Sequence, residues 1–151
     1  MNFERIDSAP WIDQAEARLP FSLPRCLGDF LRKYTFSEFE IAGLHHYDNY
    51  ASFERWCWVN AVFRDEAIFQ ICSANKFLPV GQPEEGNYDR ICLDLNRMKL
   101  GDCPVVQLDH EAILLKEKIK IVEELAPSYA KLVAKVLDAY FQCDPRATLG
   151  K

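Results

Sequence analysis

The chain of 151 residues is 49% hydrophobic and 27% charged, which is ordinary for a folded domain and argues against a disordered chain. Its length suits one domain with its own hydrophobic core. The formal net charge of −5 disfavours direct binding to nucleic acid, whose phosphates are recognised by clustered Lys and Arg.

Two helices are predicted in the first part of the chain. Pro10 suits the first turn of a short helix that ends near Pro20, since the missing N–H of proline costs nothing there. A second helix starts at Pro24, because Leu27, Phe30, Leu31 and Tyr34 recur at the spacing of one buried stripe. This period is lost afterwards, and the alternation of Phe39 and Ile41 with glutamates predicts an edge strand within residues 36–41. A further helix is favoured after Asn60.

Three apolar runs in the middle of the chain predict three strands of one sheet. They cover residues 77–80, 90–95 and 104–108. Gly81 and the following proline punctuate the end of the first run, and Gly86-Asn87 precedes the second. The segment Asp109-His110-Glu111 then leaves the sheet as an extended chain, along which neighbouring side chains point in opposite directions.

The last predicted helix starts at Pro127 or Ser128 and packs on the sheet through one apolar face. A short strand around residues 119–122 precedes it. The expected fold is therefore a single α+β domain over residues 1–141, with a mainly antiparallel or mixed sheet flanked by helices at both chain ends. Residues 142–151 are expected to form a loose tail.

The order of these segments resembles the SUKH (Smi/Knr-like) superfamily, which contains bacterial immunity proteins and a fungal cell-wall regulator. The resemblance covers roughly residues 20–141, and its fold would be SUKH-like. It implies an opening helix from Leu23-Pro24 and a closing helix from Glu123. The segments that carry it are FLPVG, GNYD before ICLDL, and PVVQLDHE. Within these segments the structural motif residues are Gly81, Asp94, Asp109 and His110.

The resemblance implies a protein-binding function without catalysis. The first hypothesis is an immunity protein that neutralises a toxin by occluding its active site or substrate path. A cytosolic regulator or scaffold that binds an endogenous protein is the alternative, and a small hydrolase built on His110 is a third. Neither the identity of the partner nor the oligomeric state follows from the sequence.

Two groups of residues are candidates for contact with a basic partner, such as a toxin domain that binds nucleic acid. Between residues 81 and 111 there are seven acidic residues against three basic ones, which would attract such a partner unless the acids only fill solvated turns. Aromatic residues with polar tips are typical anchors of interfaces, although core packing is the majority interpretation for them. The candidates are Glu84, Glu85, Asp89, Tyr47, Tyr50, Trp56 and Trp58.

Catalytic, metal and cofactor sites are not predicted. Three histidines and six cysteines form no Cys-x-x-Cys or His-x-x-x-His spacing. The glycines near residues 81–86 do not follow a phosphate-binding pattern, and glutamates there would repel phosphate. The cysteines are expected to be reduced and mostly buried. Acidic residues near the N-terminus and the lack of a long apolar run predict a cytoplasmic protein outside the membrane.

Overall fold

A computed structural model of the chain describes residues 3–36, 39–41, 44–47, 65–83 and 87–143. Within these ranges it is an α+β structure, as predicted, but its strands form two antiparallel sheets rather than the single sheet that was expected. The helices are α1 Pro10–Glu16, α2 Arg25–Lys33, α3 Glu66–Ala74, α4 His110–Lys116 and α5 Tyr129–Cys143. The strands are β1 Phe3–Arg5, β2 Tyr34–Phe36, β3 Phe39–Ile41, β4 Leu44–His46, β5 Phe77–Pro83, β6 Arg90–Asp94, β7 Val105–Leu108 and β8 Ile121–Ala126. A 3₁₀ helix, Leu95–Arg97, follows β6.

In the part of the chain that the structure describes, the main sheet has six strands, which lie in chain order from β3 to β8. Among the described strands, β3 is the first of this sheet, which agrees with the predicted edge strand for residues 39–41. Phe36 does not belong to it: this residue ends β2, which pairs with β1 in a separate two-stranded sheet. Strand β1 was not predicted, because three residues are too few to show an alternating pattern.

Helices cover both faces of the main sheet, which explains why its central strands are continuous apolar runs. Successive side chains of a strand point to opposite faces, and the buried residues divide accordingly. One face packs against α1, α2 and α5, through Leu78, Val80, Ile91, Leu93 and Val105. The other face packs mainly against α3 and α4, through Phe77, Cys92, Val106 and Leu108.

Several expected boundaries differ from the structure. The first helix ends at Glu16 rather than near Pro20, and Tyr34 begins strand β2 rather than belonging to helix α2. Strand β5 continues through Gly81 to Pro83. Helix α4 begins at His110, so the chain there is not extended. Glu123 lies in strand β8 rather than in the closing helix, which begins at Tyr129. That helix continues to Cys143, so the predicted tail from residue 142 begins too early. Residues 144–151 lie outside the described ranges.

Strand β8 lies at the other edge of the main sheet, as far as the described residues extend. Its register against β7 shifts at two places, next to Val105 and next to Leu108. Such bulges bend an edge and hinder its pairing with a strand of another molecule. The edge is therefore protected by its own geometry, although Ile121 and Val122 are exposed there.

The prediction that the cysteines are mostly buried is confirmed for those whose side chains the structure describes. Cys72, Cys92 and Cys103 are buried and free, and Cys26 is free and partly buried. Burial raises the pKa of Cys103 to about 12, which keeps this thiol protonated and unreactive. None of the helices in the described ranges is both long enough and apolar enough to cross a membrane.

Candidate functional site

One end of the main sheet brings together residues that are far apart in the sequence. Strand β6 begins where β7 ends, because Arg90 pairs with Leu108. Asp89, which precedes β6, therefore lies beside His110, which follows β7. The two residues are 21 positions apart in the chain. No sequence spacing predicts their contact, because it depends on the pairing register of two strands.

The carboxylate of Asp89 is a hub of hydrogen bonds. One oxygen accepts from the backbone N–H of His110 at 3.0 Å and from its ring Nδ1 at 2.8 Å, and the other accepts from Gln107 Nε2 at 2.7 Å. Burial alone would raise the pKa of Asp89, but the bonds from His110 and Gln107 outweigh it and lower that pKa. With 9% of its surface exposed, Asp89 holds the fold rather than forming part of an exposed acidic loop.

Tyr88 is the side chain that this arrangement displays to solvent. It is 67% exposed, and its ring centre lies 5.9 Å from that of His110. Arg90 Nη1 donates to the carbonyl of Tyr88 at 2.7 Å and Arg90 Nη2 donates to Asp65 at 3.3 Å. The backbone is thus fixed while the ring stays accessible. Tyr88 was not among the predicted site residues, although its position between a glycine-asparagine turn and an aspartate indicated a loop.

Two other aspartates of the acidic segment stabilise turns. Asp94 is 3% exposed, and one of its oxygens accepts from Arg97 Nε at 2.6 Å. Asp102 accepts from the backbone N–H of Tyr129 at 2.9 Å, which caps the start of helix α5. Both carboxylates therefore bind other parts of the protein, one at each end of the β6–β7 connection.

Asp109 is the N-cap of helix α4. Its Oδ1 accepts from the backbone N–H of Ala112 at 3.0 Å, and its Oδ2 pairs with Lys120 Nζ at 2.8 Å. The bond from Lys120 and the cap bond lower the pKa of Asp109. Together with Asp89 and the two turn aspartates, it shows that four of the seven acids in this segment serve caps and turns. Of the other three, Glu111 is exposed and two lie outside the described residues.

Gly81 has a structural reason to be glycine. It pairs with His46 across β4 and β5, and a Cβ atom at Gly81 would lie 2.4 Å from the carbonyl oxygen of His45. The two strands can therefore approach this closely because residue 81 has no side chain. This close approach of the two strands explains the predicted structural role of Gly81.

The predicted aromatic anchors are described in part. Tyr47 is half-buried and packs on the core that α1, α2 and α5 cover. Burial raises the pKa of its hydroxyl. The other candidates lie outside the described residues, and their predicted role in partner binding stays a prediction: Tyr50, Trp56, Trp58, Glu84 and Glu85.

The contact between Asp89 and His110 also affects the chemistry of the histidine ring. A carboxylate that accepts from Nδ1–H fixes the tautomer of the ring, so that Nε2 can accept a proton. The His110 side chain is 26% exposed. Among the described residues no group of three or more His, Cys, Asp and Glu side chains is arranged to hold a metal ion.

We expect the replacement of Asp89 by alanine to lower the free energy of unfolding by about 2–3 kcal/mol, because it leaves the bonding groups of Gln107 and His110 without their acceptor. Urea denaturation measures this change. The matched control is Glu111→Ala, an exposed acid beside the same histidine, which should change the free energy by less than about 0.5 kcal/mol. Equal effects of the two variants would contradict the hub role of Asp89.

Comparisons with known proteins do not assign the chain to a group. No protein-family model matches it, and no curated protein matches it.

Proposed function

We propose that the protein is a non-catalytic protein-binding module and that Tyr88 is the anchor of its binding surface. The exposure of Tyr88 is the observation that carries this proposal, because 67% of a large aromatic residue faces solvent on a backbone that Arg90 holds. A rigid aromatic side chain with a polar tip binds a partner at a low cost in conformational entropy. We call the exposed region around Tyr88 and His110 the Tyr88 surface; Glu84, Glu85 and Glu111 are acids close to these two residues in the sequence.

The charge of the Tyr88 surface favours a basic partner. Asp89 is engaged by Gln107 and His110, so the carboxylates that remain for a partner are glutamates. Glu84 and Glu85 precede Tyr88 closely in the sequence, and Glu111 is exposed next to His110. An exposed aromatic anchor in an acidic part of the sequence suits a protein surface that carries Lys or Arg around an apolar pocket.

The most concrete form of this function is an immunity protein that acts in the cytoplasm and neutralises a toxin by occluding its active site or substrate path. The support for this form is the SUKH resemblance of the FLPVG, ICLDL and PVVQLDHE segments. A cytosolic regulator or scaffold would use the same surface for an endogenous partner. The neighbouring genes separate the two, since an adjacent gene for a large secreted protein with a toxic C-terminal domain favours immunity.

A small hydrolase is the second candidate, because the Asp89–His110 contact leaves Nε2 of His110 able to act as a base. His110→Gln tests it, since glutamine can donate a hydrogen bond but cannot take up the proton. If a panel of esters is hydrolysed by the wild type, loss of this activity in a folded His110→Gln variant supports the hydrolase. Turnover that is absent from the wild type, or equal in both proteins, counts against it.

We expect Glu84→Gln combined with Glu85→Gln to slow association with the partner by roughly three- to tenfold at low salt, because the acids steer a basic protein toward the surface. The difference should nearly vanish at high salt, where the charges are screened. Stopped-flow association measures both effects. The matched control is Glu4→Gln combined with Asp7→Asn, which removes two exposed acids elsewhere. An association rate that does not respond to Glu84 and Glu85 would refute this mechanism.

A further inference from the structure

The connection between β6 and β7 ends in a tight turn of unusual sequence. Lys99 and Asp102 exchange two backbone hydrogen bonds, at 2.8 and 3.0 Å, around the two central residues Leu100 and Gly101. Both central residues have positive φ, 54° and 82°, as in a type I′ turn. Asn, Asp and Gly are favoured at these positions, whereas leucine is disfavoured in left-handed conformation.

Leucine is unfavourable at position 100 for a second reason, because its apolar side chain is exposed to water. It is 93% exposed, and Met98 beside it is 47% exposed. A bulky apolar side chain at a strained and fully exposed position stabilises neither the turn nor the core. Residues in strained backbone conformations are concentrated at functional sites, so Leu100 is a candidate for contact with another molecule.

The turn is held firmly against helix α2. Arg25 Nη2 donates to the carbonyl of Leu100 at 3.3 Å, and the backbone N–H of Cys26 donates to the carbonyl of Gly101 at 3.0 Å. A Cβ atom on Gly101 would lie 2.8 Å from Cβ of Arg25, so the turn and the helix are in close contact. Leu100 is therefore presented on a rigid support, which reduces the cost of ordering it in a complex. Arg25 and Lys99 are exposed on either side of it.

A complementary feature lies just before helix α2. The connection from α1 to α2 lines an open pocket of about 450 Å³. Its apolar lining is formed by Leu19, Pro20 and Phe21, and its polar lining includes Asp13 and Glu16. The carboxylate of Asp13 is 70% exposed, although both acids also contact Arg32. The pocket thus offers three apolar residues to a leucine side chain and two carboxylates to the cations beside it.

We infer that two copies of the protein associate by inserting Leu100 of one copy into this pocket of the other. Leu100 does not fill the pocket of its own chain, because 93% of it is exposed. The turn contacts the beginning of α2 and the pocket immediately precedes it, so a single two-fold contact can make both insertions at once. The Tyr88 surface lies before the start of β6, whereas Leu100 follows its end. The association therefore leaves the Tyr88 surface open and is independent of the proposed function.

Sedimentation equilibrium of the full chain over a concentration series tests this inference with the variant Leu100→Asn. Asparagine adopts positive φ readily, so the variant keeps the turn and removes the apolar anchor. We expect the wild type to form a dimer and Leu100→Asn to raise the dimer dissociation constant at least tenfold. In dilute solution, where both proteins are monomeric, the melting temperature of Leu100→Asn should be about 3 °C higher than that of the wild type. That increase excludes unfolding as the reason for lost association.

The matched control is Leu115→Asn, which removes a leucine that is 76% exposed on helix α4. This control should dimerise like the wild type. Asp13→Asn should weaken the dimer by a few-fold at low salt, because it removes the exposed carboxylate of the pocket. A wild type that stays monomeric up to about 0.5 mM, or a dimer that Leu100→Asn leaves unchanged, would overturn the inference. Binding of a monomeric wild type to anionic lipid vesicles through Leu100 would also overturn it, in favour of a membrane contact.

Discussion

Replacing Gly81 with alanine should lower the free energy of unfolding by about 3 kcal/mol, near the upper end for atoms forced into a filled space. The added Cβ would lie 2.4 Å from the carbonyl oxygen of His45 and 3.3 Å from Cα of His46. Both are backbone atoms of the neighbouring strand β4, so neither can move aside alone. The strands must separate locally, which disturbs their hydrogen bonds and the core beneath them.

Urea denaturation measures this loss, and the chain provides a matched control. A Cβ atom on Gly28 in helix α2 would come within 2.7 Å of Arg32 Nη1, which is the end of a flexible side chain. Gly28→Ala also removes a glycine from a helix interior, where alanine is better by up to about 1 kcal/mol. We therefore expect Gly28→Ala to be neutral or stabilising. A Gly81→Ala variant within about 0.5 kcal/mol of the wild type would show that β4 and β5 do not approach each other as described.

Lowering the pH from 6.5 to 4 should destabilise the protein by up to about 3 kcal/mol through one histidine. His46 is 1% exposed, and its Nδ1–H donates to the carbonyl of Tyr47 at 2.8 Å while Nε2 accepts from Tyr129 Oη at 3.1 Å. Burial lowers the pKa of His46 to about 4, against the raising effect of the bond to Tyr47, and nearby His45 lowers it slightly. Protonation would give this buried ring a charge and turn its acceptor into a donor.

The sign of the effect follows from proton binding. The pKa of His46 is lower in the folded state than the 6.5 of the unfolded state, so the unfolded chain binds more protons between these values. The stability from neutral His46 is fully present above pH 6.5 and is lost as the pH falls toward 4. The lowered pKa values of Asp89 and Asp109 act in a separate window, because their ordinary value is 3.8 and both shifts are downward.

Urea denaturation at several pH values tests this prediction with His46→Gln. The variant should be less stable than the wild type at pH 7, and its stability should change much less between pH 6.5 and 4.5. His45→Gln is the matched control, because His45 is its half-buried neighbour and this variant should keep the acid sensitivity of the wild type. If His46→Gln retains the full slope, another group causes it.

The sequence predicted the elements whose signal is local. The apolar runs at residues 77–80, 90–95 and 104–108 became central strands because both of their faces are buried. The face of Tyr129, Leu132 and Val136 became the buried side of helix α5, since its period matches that of a helix. Helix α4 was missed, although Asp109 followed by Glu111 is a helix-start signal. The family resemblance led to an interpretation of this segment as a strand exit.

The features of the candidate site depend on contacts that no local pattern contains. Asp89 contacts His110 because of the register of β6 and β7. The sequence of a loop does not show whether an acid in it will be buried by protein or exposed to solvent. The charge of residues 81–111 therefore indicated an acidic surface, whereas four of its acids hold caps and turns. The positive φ of Leu100 could not be predicted either, because a leucine does not indicate a type I′ turn.

Capture of a partner from native cell lysate tests the central claim that the Tyr88 surface binds a basic protein. Purified wild type would be compared with a variant carrying Glu84→Gln, Glu85→Gln and Tyr88→Ala and with the control Glu4→Gln, Asp7→Asn, each at low and high salt. We predict that the wild type and the control retain one basic protein at low salt and release it at high salt, and that the Tyr88 surface variant does not retain it. Retention of the same proteins by all three chains at both salt concentrations would contradict the claim.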